Sequence, residues 1–286
     1  MIQAPTGQVL MRRDIGFYVI NLERSADRLA EVAQVFGALC LPFERITAVD
    51  GRTMGKEAIR AVYDGRFSLD GGCYLHDTWV AITLSHIRAL ETFLSSENAF
   101  AVILEDDAVF TAEALFIINH LVAAKADGTL EFDGVELMGP ANNSRDVIAQ
   151  ARKVGGYTIG RPAKTTPISG CMLYTREGAE KLLRHALPIR THWDNYLSLS
   201  WRHGARYLTV RPFPVHAREG SASTYHGLEA GPVRLTLLLR IRRAFYRIYQ
   251  GPRRLMFSLS WLGLAAGLRI PGSYQRIKRG STLPKA

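Results

Sequence analysis

Phe100, Ala101, Val102, Ile103 and Leu104 run without a polar break into three consecutive carboxylates, Glu105, Asp106 and Asp107. A strand with one wet face alternates polar and apolar side chains. An unalternated apolar run of this length predicts a central strand covered on both faces. The carboxylates then stand where that strand leaves the core, and the pleat sends Glu105 and Asp107 to one side and Asp106 to the other. Two like charges in one small volume are costly unless a cation sits between them, and an all-oxygen ligand set favours Mg²⁺ or Mn²⁺. The alternative is that the triplet caps the next helix and faces water.

The flanking chain alternates strand and helix. A β-rich run at 15 to 20 leads to apolar positions Leu29, Val32, Val35, Phe36 and Leu39 at helical spacing, with Ser25 as N-cap, and a second β-rich run ends at Val49. Apolar residues at 80, 84, 87, 90 and 94 predict a helix begun by Asp77 or Thr78. Further on, the pattern predicts a helix over 112 to 124, a strand near 134 to 139 and a polar loop from 140 to 165. A strand at 170 to 174, helices in "REGAEKLLRHA" and "DNYLSLSWRHG", and a strand in "RYLTVRP" follow. This order predicts an α/β layered fold with a mainly parallel central sheet, where ligands gather at the carboxyl ends of strands.

The net charge of +10 raises the question of nucleic acid, but twelve of the 36 basic residues and none of the 26 acidic ones lie from Pro232 to Ala286. Residues 1 to 231 are nearly neutral, at −2, and no nucleic-acid-binding motif accompanies the basic segment, so nucleic acid is not an expected partner. Two domains of the sequence follow: 1–231, and a basic amphipathic helical extension at 232–286. The extension reads either as a helix pair closing the domain or as an element lying on an anionic membrane surface. Its longest stretch between arginines, 255 to 268, is too short to span a bilayer. Cys40, Cys73 and Cys171 are widely spaced and read as small hydrophobes, and the first residues lack the pattern of a secretory signal. The expected location is cytoplasmic, at most peripheral on the inner face of the membrane.

In order and spacing, "FYVINLERSADR", "PFERITAVDG", "LSHIRALE", "VILEDDAVF" and "REGAEKLL" resemble glycosyltransferase family 25, the lipopolysaccharide-type sugar transferases related to the collagen galactosyltransferases. The resemblance spans roughly 15 to 225. It implies a GT-A-like three-layer sandwich, a UDP-sugar donor, galactose before other hexoses, a saccharide or lipid-linked oligosaccharide acceptor, and Mn²⁺ or Mg²⁺ at the acidic motif. Carried over by position, Glu105 and Asp107 are metal or ribose-phosphate ligands and Asp106 orients the donor.

Asn21, Arg24 and Arg28 then lie where a nucleotide's base or phosphates would sit, and Asp50 where uracil or ribose would. For Arg24 and Arg28 the alternative is surface pairing with Asp27 or Glu31; for Asp50 it is a turn before Gly51. Ser85 and His86 match the family's pair on the helix and read either as donor-site or as core residues. Asp194 is the candidate catalytic base for an inverting transfer, or else a helix N-cap. His216 would complete the metal shell or contact pyrophosphate, and Arg218 and Ser221 would hold phosphates, the alternative for such loop residues being a solvated surface. "TWVAIT", Thr78 to Thr83, departs from the family's Glu-Ile-Gly-Cys-like stretch, at a place bearing on sugar specificity. Alternatives to transfer are a catalytically inert sugar-nucleotide or glycan-binding relative, and a metal-dependent phosphodiesterase.

Overall fold

Strand β1 (Ile15–Asn21) lies beside β2 (Glu44–Thr47) and β3 (Phe100–Glu105), parallel to both, and between β1 and β2 the chain crosses over through helix α1 (Ala26–Ala38). The computed structural model describes residues 14–139, 147–162, 169–218, 235–268 and 274–276. All five apolar residues of β3 are buried and only Glu105 emerges, as an unalternated strand requires. After α2 (Lys56–Val62) comes the long α3 (Asp77–Ser95). It begins at Asp77, as expected, and its N-cap is His76, with the imidazole accepting from Thr78 N.

Beyond β3 the chain forms β4 (Ala108–Val109), α4 (Ala112–Ala126) and β5 (Gly134–Glu136). The stretch expected as a polar loop instead carries a hairpin, β6 (Val147–Val154) and β7 (Tyr157–Pro162), turned at Gly155 and Gly156 with Gly155 at φ +56°. A Gly-Gly pair between two short runs is a hairpin signal. The Asn and Arg content around it masked that signal. Next come β8 (Cys171–Thr175), α5 (Arg176–Ala186), α6 (Trp193–Leu197), α7 (Ser200–His203), β9 (Tyr207–Arg211) and β10 (His216–Ala217). Helices α8 (Leu237–Leu262) and α9 (Leu264–Gly267) and strand β11 (Tyr274–Arg276) complete the order.

Among the described residues nine strands form one sheet in the order β11-β6-β7-β9-β5-β8-β3-β1-β2. The pairings set β2, β1, β3, β5, β9 and β6 in one direction, with β8, β7 and β11 opposed. The strands thus mainly share one direction. Helices α1 and α4 cover one face through Val32, Phe36, Ile117 and Leu121, and α3, α5 and α6 cover the other through Leu90, Phe93, Leu182 and Trp193. The three-layer α/β sandwich of the sequence reading is the fold.

Three residues of the "REGAEKLL" segment, Arg176, Gly178 and Lys181, have a packing reason. Arg176 donates to the carbonyls of Ser96 and Asn98 at 2.9 and 3.1 Å, satisfying acceptors at the end of α3. A Cβ on Gly178 would meet the Asp133 carbonyl oxygen at 2.1 Å, so only glycine lets α5 lie this close. Lys181 then pairs with the buried Asp133 at 2.9 Å.

The basic segment is joined to this body. Trp261, Leu262 and Ala266 enter the same core, Arg161 lies 4.0 Å over the Trp261 ring, and β11 adds an antiparallel edge strand to β6. Among the described residues no helix is long and apolar enough to cross a membrane.

Candidate active site

The register Ile20↔Glu105 between β1 and β3 places Asn21 beside Asp106 at the carboxyl rim. Asn21 Nδ2 donates to Asp106 Oδ2 at 2.8 Å and to the Ser25 carbonyl at 2.9 Å, and Arg28 of α1 reaches Asp106 Oδ1 at 3.2 Å. Asp106 therefore ties the first strand and helix to the third strand. Its neighbours go elsewhere. Glu105 Oε1 lies 3.3 Å from His86 Nε2 on α3, while Asp107 holds Arg218 N through its own carbonyl at 2.9 Å.

Asp107 Oδ1 and Asn21 Oδ1 are buried with no hydrogen-bond partner among the described residues. A buried acceptor without a donor is costly, so these two oxygens are the rim's open valences. Burial, then the charges of Glu105 and Asp106, push the Asp107 carboxyl up to about 6, with Arg28 offsetting part of it. Such undercompensated negative charge fits a divalent cation held by Glu105 and Asp107. Among the described residues no group of three or more His, Cys, Asp and Glu side chains is placed to hold a metal ion. Protein oxygens here would leave further coordination positions to a ligand.

A second set of contacts leads inward from Glu105. Ser169, just before β8, brings its hydroxyl within 3.3 Å of His86 Nε2 and 3.5 Å of Glu105 Oε1, and its main-chain N–H donates to Asp194 Oδ1 at 2.9 Å. His86 is buried and stacks on Trp193 with ring centroids 5.3 Å apart and planes at 9°. Burial pushes the Asp194 carboxyl up to about 6; the Glu105 charge adds to this, while the Ser169 bond and His86 oppose it. The N-cap of α6 is His192, whose Nδ1 accepts from Asn195 N. Asp194 is thus left free of the capping role.

Asp194 opens on a cleft of about 220 Å³ lined by Trp79, Ile82, His192 and Trp193. The Trp79 and His192 rings are 5.6 Å apart. Trp79 and Ile82 belong to "TWVAIT", so the stretch that departs from the family pattern forms a wall of this cleft.

The remaining candidates are held differently. Arg24 pairs with Asp50, and Asp50 Oδ1 also accepts from Arg52 N at 3.0 Å, so Asp50 both shapes the turn and anchors Arg24. The surface pairing weighed for the two arginines gives way to these longer-range partners, Asp50 for Arg24 and Asp106 for Arg28, and Glu31 pairs with Arg218 at 2.8 Å. The Ser85 hydroxyl donates to the Ala81 carbonyl and accepts from Val49 N, both at 2.8 Å, tying α3 to the end of β2. His216 is exposed on β10, opposite Val109 of β4. Ser221 lies outside the described residues. Ser169, Trp79 and His192 were missed by sequence reasoning. The serine and histidine stand in short polar stretches with no periodicity to mark them, and the tryptophan looked like part of an ordinary helix face.

A comparison with curated proteins finds no match. Solved structures similar to the chain include the inositol-1-phosphate CTP transferase from T. maritima, 12% identical over 82% of this chain and 77% of that one, TM-score 0.35. The mannose-1-phosphate geranyltransferase from Thermus thermophilus is 11% identical over 72% and 74%, TM-score 0.28. At these scores neither likeness carries an argument. Residues 14–139, which hold Asn21, Arg28, His86 and the Glu105 to Asp107 triplet, match the family model of glycosyltransferase family 25 (LPS biosynthesis protein), the family that the chain's motifs resemble.

Proposed function

We propose that the chain is an inverting hexosyltransferase that moves a sugar, galactose first among the candidates, from a UDP-sugar to a saccharide of a lipopolysaccharide or lipooligosaccharide. The observation that supports this best is the Ser169 bridge, which joins a cleft carboxylate, Asp194, to the acidic rim at Glu105. A sugar transferase needs these two centres side by side, one for the leaving diphosphate and one for the acceptor.

Glu105 and Asp107 would hold Mn²⁺ or Mg²⁺, which when bound supplies positive charge to the departing diphosphate. Asn21 Oδ1 is an acceptor for a nucleoside N–H or O–H. Arg28 holds Asp106 in place beneath it. Asp194, ionised above about pH 6, takes the proton of the acceptor hydroxyl as the new glycosidic bond forms. Trp79 and His192 give the cleft an aromatic wall against which a sugar ring can lie.

The test is a set of incubations with UDP-galactose, UDP-glucose and UDP-N-acetylglucosamine, each with Mn²⁺ and a truncated lipooligosaccharide or its core saccharide. The anomeric configuration of the product is read by NMR. Transfer with inversion supports the proposal; UDP binding without turnover of any of the three would put an inert binding protein in its place.

A further inference from the structure

Helix α8 is amphipathic in the reverse sense for a helix on a protein surface. Between Leu238 and Met256 its polar side faces the domain: Tyr246 OH donates to the half-buried Asp70 at 2.7 Å, Trp201 Nε1 donates to the buried Gln250 at 3.2 Å, and Arg202 reaches Tyr246. Its apolar side faces outward. Leu238, Ile241, Phe245, Ile248, Leu255 and Met256 are all exposed, Phe245 and Ile248 at 69% and 70%. At 100° per residue these side chains fall within an arc of roughly 100°, a continuous stripe along the helix. Arg242 and Arg253 flank one edge of the stripe and Arg240 and Arg247 the other, all exposed.

We propose that this stripe lies in the interface of an anionic lipid bilayer. An apolar arc bordered on both edges by arginines suits a helix lying flat, with the ring and aliphatic side chains in the acyl boundary and the guanidinium groups at lipid phosphates. From Pro232 to Ala286 there is no Asp or Glu to oppose a negative surface. A second copy of the chain is a poorer occupant. Twofold packing of the stripe on itself would bring arginine rows against arginine rows, with no carboxylate on the helix to neutralise them. The far end of α8 is fixed to the body through Trp261 and Leu262, so the stripe is carried on a rigid base.

Membrane seating also gives a role to a cleft beside α8. About 610 Å³ is lined by Arg253 and Met256 of α8 and by Thr83 and Thr191, which adjoin Ile82 and His192 of the Asp194 cleft. A helix lying in the lipid interface would place this cleft near the bilayer surface.

Sedimentation of the full chain with phosphatidylcholine vesicles, and with phosphatidylcholine/phosphatidylglycerol vesicles, at low and high salt is the experiment. The expected result is binding to the anionic vesicles only, about tenfold weaker at high salt and at least about tenfold weaker in the Phe245→Glu/Ile248→Glu double variant. Both substituted positions are exposed, and an unchanged Tm verifies that the variant is folded. Failure of the wild-type chain to sediment with anionic vesicles, or equal binding by the folded double variant, overturns the proposal. So does a dimer in analytical ultracentrifugation that the double variant dissolves in the absence of vesicle binding. UDP-dependent thermal stabilisation, measured on the same samples, separates failure of this proposal from failure of the transferase reading.

Discussion

The main-chain N–H of Ser169 donates to Asp194 Oδ1 at 2.9 Å, so the carboxylate is oriented in part by a group that an alanine at 169 leaves in place. Asp194→Asn is expected to lower kcat for transfer by about 10²–10⁴-fold, the usual worth of a positioned general base, with UDP affinity unchanged. Ser169→Ala keeps the N–H and loses the hydroxyl, which bonds Asp194 and lies near His86 and Glu105, so its kcat should fall by less than that of Asp194→Asn while its acid limb moves to higher pH. Equal losses in the two variants would remove Asp194 from the role of base.

Asp107 and Asp194 are both held up to about 6, which predicts the pH profile. kcat/KM should rise with pH through about 6 as the carboxylates ionise. At low Mn²⁺ both must lose a proton, and the acid limb should be steeper than one proton. At saturating Mn²⁺ the cation favours ionised Asp107, and the limb should approach a single proton from Asp194. Profiles measured at two Mn²⁺ concentrations decide this; a limb unaffected by Mn²⁺ would separate Asp107 from the metal.

The same shift has a consequence for folding. The folded-state value for Asp107 lies above its ordinary 3.8, so the folded chain binds more protons than the unfolded one between 3.8 and about 6, and stability is lost as pH rises through that window. At neutral pH the penalty is on the order of 3 kcal/mol. Asp107→Asn should therefore raise Tm at neutral pH and make little difference below the window. Mn²⁺ should raise the Tm of the wild-type chain and leave Asp107→Asn nearly unmoved. Thermal melts at acid and neutral pH, with and without Mn²⁺, check both statements.

Asp106 should respond in the opposite direction. It is buried and accepts from Asn21 and Arg28, so Asp106→Ala leaves an amide and a guanidinium without their acceptor. A loss of about 2–4 kcal/mol is expected, read as a lower midpoint in urea with an unchanged slope. Destabilisation by Asp107→Ala of equal size would mean that the two neighbours are structural alike.

The layered fold was legible because its central strand is buried on both faces and so carries an unmistakable apolar run, and because α1, α3 and α5 keep helical spacing. Glu105 and Asp106 do go to different partners, His86 and Ser169 against Asn21 and Arg28, but β3 ends at Glu105 and Asp106 and Asp107 stand in the turn after it, so the turn and not the pleat sets them apart. The hairpin was hidden because its strands, VIAQARKV and YTIGRP, lack a regular apolar alternation and lie next to a polar Asn- and Arg-containing stretch. Ser169 could not be foreseen, since its value comes from meeting His86 across 83 residues of chain, a tertiary fact without local pattern. The outward stripe of α8 was likewise hidden: periodicity shows that a helix has an apolar side but not which side the fold turns to solvent.

Strand β8 runs against β3 and β5, its neighbours on either side. Parallel strands all end at the rim, where their last peptide groups and the acidic triplet mainly offer electron pairs. The reversed strand begins there, and its approach at Ser169 turns a peptide proton toward Asp194. One inverted strand thus gives a rim rich in acceptors a local supply of donors, and an anionic side chain can be positioned there without recruiting another lysine or arginine.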